Sequence, residues 1–269
     1  HALTHEARGA ALALLDRLED SRAAYAKAIE LDPDLAEGHR ALSIIKWPHE
    51  QDWAGAESEI QQALRLKPNS AELNITYARL LADVGRFEEA RARAMRALEL
   101  DPRAIPARKS LAYIHFLDHR YDEAITEYRK LTEIAPGFLQ AQRELGLAYE
   151  QQGRFEEAFS QFQIPLSERD CYFKTMCQAD LGHLYAVWGK RTEAQQVLVE
   201  LLKKSEKNYV SAYDIAVIYA GLGEIEQAFR WLNKAVEQRP YWLCWLNLDP
   251  RLNSLHADPR FQRFQQLIR

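Results

Sequence analysis

Across residues 71–102, AELNITYARLLADVGRFEEARARAMRALELDP, apolar or small residues fall at Leu73, Tyr77, Ala78 and Leu81, and again at Phe87, Ala90, Ala94 and Ala97. Both sets have helical spacing. Gly85 lies between them and tolerates positive φ, so it ends the first helix, while Asp101-Pro102 ends the second. The segment predicts a helical hairpin. Alanines at its contact let the two backbones approach closely, and Tyr77 and Phe87 fill the space between neighbouring hairpins. One such hairpin buries too little surface to stand alone, so its stability has to come from stacking.

The same pattern returns along the chain. Arg-Phe-Glu-Glu-Ala occurs at Arg86–Ala90 and at Arg154–Ala158, with Arg120-Tyr-Asp-Glu-Ala124 midway, at a spacing of 34 residues. Turn prolines follow the same rhythm at Pro33, Pro68, Pro102 and Pro136, which stand 35, 34 and 34 residues apart, with Pro240 further on. A strict period of this length predicts stacked hairpins in one quasi-linear body, and places function on an extended surface rather than in a pocket. With 47% apolar residues and only 11 glycines and 10 prolines, no stretch reads as low-complexity. The net charge of −4 gives no electrostatic case for direct nucleic-acid binding, and the apolar runs are too short for membrane insertion.

These features resemble the tetratricopeptide repeat, with its small residues at the eighth, twentieth and twenty-seventh positions and its proline at the thirty-second. In that register repeats begin near Ala2, Ala36, Ala71, Ile105, Leu139, Thr175 and Tyr209. Matching residues include Gly146, Tyr149, Gly153 and Ala158, then Gly182, Tyr185, Gly189 and Ala194, then Ala216, Tyr219, Gly223, Ala228 and Ala235. The resemblance implies an all-α, right-handed superhelical solenoid of about seven helix-turn-helix repeats over residues 1–240, with capping helices over 241–269.

Two departures stand out. The second repeat has one extra residue, expected in an inter-helix turn at Trp47-Pro48, before Asp52-Trp53 opens its second helix. In the fifth repeat Pro165 replaces a small helix residue, and is expected to end or kink that helix early. Ser167–Phe173 would then be an irregular junction, with a change in superhelical curvature between repeats five and six.

The tail departs altogether. Asp249-Pro250 and Asp258-Pro259 each read as an N-cap followed by proline at the first helical position. Phe261, Phe264, Leu267 and Ile268 form one apolar face, as a solenoid cap with a polar outer side requires. Trp242 and Trp245 read as core packing under that cap. The tail, the Trp53 repeat and the opening at Tyr209–Ala216 resemble a bacterial subfamily whose arrays follow a winged-helix or serine/threonine kinase domain. That likeness implies the interaction arm of a larger regulator. The opening at His1, directly in repeat-like sequence, is expected of a piece cut from a longer polypeptide. Cytoplasmic location is the first expectation, and an extracytoplasmic arm of a membrane-anchored regulator the second.

No phosphate loop, nucleophile elbow, HExxH or paired CxxC occurs, so neither catalysis nor a cofactor is expected. His115 and His119 have nominal metal spacing, but one falls at a core position and the other in a turn. Glu88-Glu89, Asp122-Glu123 and Glu156-Glu157 sit early in second helices, where carboxylates favour the helix dipole. Cys171, Cys177 and Cys244 read as idle thiols.

What remains is the concave groove, which in this family is walled by first helices. Carried over, its positions give Arg40, Ile44 and Trp47, then Ile75 and Arg79, then Lys109, Tyr113 and Phe116, then Arg143 and Leu147, His183, and Tyr213 with Asp214 and Val217. Cations beside aromatics suit an extended peptide with carboxylates and an apolar anchor. Glu37, Glu72, Glu144, Asp180 and Asp214 line the same wall, which equally allows a solvated, charge-mixed surface. Lys109 has no asparagine following in register, which disfavours the carboxylate clamp of chaperone-binding relatives. The expected function is a peptide- or protein-binding arm of a bacterial signalling or regulatory protein. The alternative is a self-associating assembly scaffold.

Overall fold

The computed structural model describes residues 2–6, 17–50, 52–168, 173–238 and 246–266. The chain divides into two compact units, His1–Ser110 and Leu111–Arg269. The first holds a helical turn at 2–6, α1 (Leu18–Leu31), α2 (Ala36–Glu50), α3 (Trp53–Leu66), α4 (Ala71–Asp83), α5 (Phe87–Leu100) and the start of α6 (Ile105–Leu117). The second holds the end of α6, then α7 (Tyr121–Ile134), α8 (Leu139–Gln151), α9 (Phe155–Ser167), α10 (Lys174–Val187), α11 (Arg191–Ser205), α12 (Ala212–Gly221) and α13 (Ile225–Gln238). A 3-10 helix (Pro250–Leu255) and α14 (Pro259–Gln266) follow. The described residues form no strand, and none of their helices is long and apolar enough to cross a membrane.

Each hairpin forms for the reasons its sequence gives. Ala90, Ala94 and Ala97 on α5 are wholly buried, and Tyr77 is buried with its hydroxyl between Glu57 and Gln61. Gly85, Gly153, Gly189 and Gly223 all have positive φ, and His119 takes the same conformation (φ 57°) at the equivalent turn. The recurrent Arg-aromatic-acid-Glu string also has a local cause. Its arginine stands at the N-cap without capping and pairs instead with the glutamate three residues on: Arg86–Glu89 at 2.7 Å, Arg120–Glu123 and Arg154–Glu157 at 2.5 Å. Where the hairpin needs the closest approach, Gly146 on α8 faces Phe162 on α9, and a Cβ there would stand 2.6 Å from the ring.

Helices alternate in their contacts. In the first unit α2 packs on α3, α3 on α4, and α4 on α5, while α2 also touches α4. In the second, α8 touches α10 and α10 touches α12 in the same way. First helices of successive hairpins therefore lie side by side and form one wall of each unit.

Two expected breaks are displaced. Helix α2 runs through Trp47 and Pro48 to Glu50, so the turn follows that pair rather than containing it. Burial of the Trp47 side chain on the helix outweighs the one donor that proline removes. The expected opening at Asp52 is present: its side chain accepts from the Gly55 N–H at 2.8 Å. Pro165 lies inside α9, which continues to Ser167, one residue short of the 14-residue α5. The helix does not stop at the proline because so near its end only one turn of bonding is disturbed. The expected junction at Ser167–Phe173 falls largely on 169–172, outside the described residues, as do Trp242, Trp245, Leu267, Ile268, Cys171 and Cys244. Cys177 is buried.

The described part of the tail packs on the second unit. Leu246, Leu252, Leu255, Phe261 and Phe264 pack with Phe229, Leu232 and Ala235 in one core, and Phe264 stacks on Phe229. Asp249 caps the 3-10 helix by accepting from the Arg251 N–H at 3.0 Å, and Asp258 does the same for α14 through Arg260 at 2.9 Å.

Candidate functional site

The wall of the first unit carries Arg40, Trp47 and Arg79. Trp47 comes from α2 and is buried at its edge; the Arg79 guanidinium, from α4, lies 5.8 Å over its ring. Arg40 is engaged by Glu72 at 3.1 Å. Arg79 is exposed and meets no carboxylate among the described residues. The Trp47 indole Nε1 is buried and finds no acceptor there either. Ile44 is exposed and Ile75 half-buried on the same two helices. The result is an aromatic platform under an uncompensated cation. Lys109, on the stretch of α6 within this unit, is half-buried.

In the second unit Tyr113 is half-buried and Phe116 buried, its ring edge-on to Tyr121 with centroids 5.8 Å apart. Leu147, Asp214 and Val217 are buried, and Arg143, His183 and Tyr213 point into contacts made by the chain itself. His183 on α10 is buried, its Nδ1 2.9 Å from the Glu150 carboxylate of α8. Arg143 on α8 grips Asp180 on α10 with both arms of its guanidinium, Nε at 2.5 Å and Nη2 at 3.1 Å. Tyr213 on α12 donates its hydroxyl to Asp249 of the tail at 2.7 Å.

Asp180 and Asp249 are joined by Arg251. Its Nη1 lies 2.7 Å from Asp180, while Nη2 and Nε reach Asp249 at 2.6 and 2.9 Å. Asp180 is 1% exposed and Arg251 9%, so this is a dry network spanning α8, α10, α12 and the 3-10 helix that packs on α12. Two cations meet two anions within it. Burial works against the ionised form of Asp249, but the adjoining Arg251 holds its carboxyl down at about 2. Asp214 on α12 fares differently: burial, and then the negative Asp180, push it up to about 7. Burial and the facing Asp249 carboxylate raise the Tyr213 hydroxyl well above its ordinary value, so it stays a donor.

The sequence reading placed Asp180 on the wall but gave it no partner, and took Asp249 as a cap without seeing Arg251 beyond it. No signal in the repeat marks it, because Glu144 and Asp214 hold the same position in the neighbouring repeats.

Among the described residues no group of three or more His, Cys, Asp or Glu side chains could hold a metal. His115 is buried, and His119 turns outward to hydrogen-bond Tyr121 at 2.7 Å. The three acidic pairs lie in the first turns of α5, α7 and α9.

Comparison with known proteins agrees with this architecture. Tetratricopeptide repeat family profiles match residues 49–112 and, for a second profile, 4–35 and 210–241. No curated protein sequence matches the chain significantly. Among solved structures, a tetratricopeptide repeat protein from Parabacteroides merdae superposes with a TM-score of 0.69 at 16% identity, covering 99% of this chain and 98% of that one. PilW, described as a widely conserved type IV pilus biogenesis factor, gives 0.65 at 18% identity over 77% of this chain and 94% of its own. Pseudomonas aeruginosa pilF gives 0.60 at 18% identity over 77% and 93%. At such identities these are likenesses of fold.

Proposed function

We propose that this chain, which belongs to the tetratricopeptide repeat family, is a protein-interaction module that binds an extended, acidic segment of a partner on its first-helix wall. The observation that carries the reading is the Trp47–Arg79 pair, an exposed guanidinium held over a buried indole and meeting no carboxylate among the described residues. A partner carboxylate would complete Arg79, and Ile44 and Ile75 supply apolar contact. Lys109 adds charge in the same unit. Arg40, Arg143, His183 and Tyr213 act by shaping the wall, since each already has a partner within the chain.

The partner's wider setting follows from the sequence likeness alone: an arm of a bacterial signalling or regulatory protein. The test is a selection of displayed random peptides on the chain, followed by affinity measurement. Acidic peptides should dominate, and Arg79→Glu should weaken them at least tenfold at low salt. Retention of full affinity by Arg79→Glu would move the surface elsewhere, and self-association at micromolar concentration in light scattering would favour the scaffold alternative.

A further inference from the structure

The ionic network in the second unit exceeds what capping requires. Leu246, Leu252, Leu255, Phe261 and Phe264 already cover the apolar end formed by α12 and α13. Apolar side chains of the same volume in place of a buried ion network commonly leave stability unchanged or raise it. Buried charges of this kind can confer selectivity rather than strength. Here they lie on the same wall of first helices that extended ligands would use, and the wall's contribution is complete without the tail. Asp180, held by Arg143, offers a fixed carboxylate to a guanidinium, and Tyr213 offers a hydroxyl to a carboxylate. Asp249 and Arg251 meet these two groups from a turn in which the Asp249 side chain also holds the Arg251 N–H.

We propose that the Asp180–Tyr213 seat is a recognition site for a segment carrying an arginine two residues after an aspartate, and that the chain's own Asp249-Pro250-Arg251 occupies it as a resident ligand. A partner with that sequence chemistry competes for the seat. The inference is independent of the reading given to Trp47 and Arg79, which lie in the other unit. Lysine is a poor substitute, because a single ammonium cannot pair with Asp249 through two arms while a third reaches Asp180, as the planar fork of Arg251 does.

The test uses the full chain and two blocked hexapeptides, Leu-Asp-Pro-Arg-Leu-Asn and its lysine counterpart, measured by calorimetry. Arg251→Ala should bind the arginine peptide at least tenfold more tightly than the lysine peptide, and at least tenfold more tightly than the wild-type chain does. Adding Asp180→Asn should abolish the preference. Equal affinity for the two peptides, no binding to Arg251→Ala, or wild-type binding as tight as the variant's would overturn the proposal. Should Arg251→Ala lose its helical signal, Asp249→Asn decides. There the arginine peptide alone should speed amide exchange across residues 250–255 several-fold, and an equal or absent response to both peptides refutes the seat.

Discussion

Asp214 makes the second unit sensitive to pH in a direction opposite to that of an ordinary salt-bridged carboxylate. Its carboxyl lies at about 7 in the fold against an ordinary value of 3.8, chiefly from burial and secondarily from the negative Asp180. Below the ordinary value it is protonated whether the chain is folded or not. As pH rises from there, the unfolded chain releases the proton while the fold retains it, and stability falls until the folded group ionises near 7. Over the whole window the loss is about 4 kcal/mol, of which about 2 kcal/mol falls between pH 5 and pH 7, where the folded group is itself becoming ionised. Asp249 contributes with the opposite sign but outside this range, since its carboxyl at about 2 sheds stability only as pH falls below 3.8. Burial lowers His256, which adds a rise in stability with pH to wild type and variant alike. Asp214→Asn keeps the shape of the neutral acid and removes its titration. Urea unfolding followed by circular dichroism at pH 5, 6, 7 and 8 should show the variant already ahead of wild type by about 1–2 kcal/mol at pH 5, and the gap widening by a further 2–3 kcal/mol by pH 8. Parallel curves for the two proteins would refute the reasoning.

Three further outcomes follow from packing. Gly146→Ala should destabilise by about 1–3 kcal/mol in urea melts, because the new Cβ meets the buried Phe162 ring, and adding Phe162→Leu should recover part of the loss. Pro165→Ala should restore the missing donor in the last turn of α9 and slow amide exchange across 160–168; unchanged exchange and unchanged helicity would show that the proline does not limit the helix. Removal of residues 241–269 should uncover Phe229, Leu232 and Ala235 and leave Asp180 without Arg251, so the chain should aggregate or fray from α13, whereas an unaltered melt would deny the tail its capping role.

Periodic features were readable from the sequence because each is local. Ala71, Ile105 and Leu139 open helices as the 34-residue interval required, and Gly85 and Gly153 take the positive φ their turns demanded. Where a local rule met a competing one, the position moved. Ser211 caps α12 through the Asp214 N–H, so that helix opens at Ala212 rather than near Tyr209. The tail's return to the wall was not readable. Arg251 and Asp180 are 71 residues apart, and each alone reads as a solvated charge. Nor could spacing separate the cations: Arg79 and Arg143 hold comparable wall positions, yet one faces solvent over Trp47 and the other is spent on Asp180.

The central claim is that the first unit's wall at Trp47 and Arg79 receives the partner while the second unit's seat stays filled by the tail. Hydrogen exchange with a selected acidic peptide tests it most directly. The account predicts slower exchange across residues 40–47 and 72–79, lost in Arg79→Glu, with α10, α12 and residues 250–255 unchanged. Protection confined to α10 and α12, accompanied by faster exchange across 250–255, would contradict it.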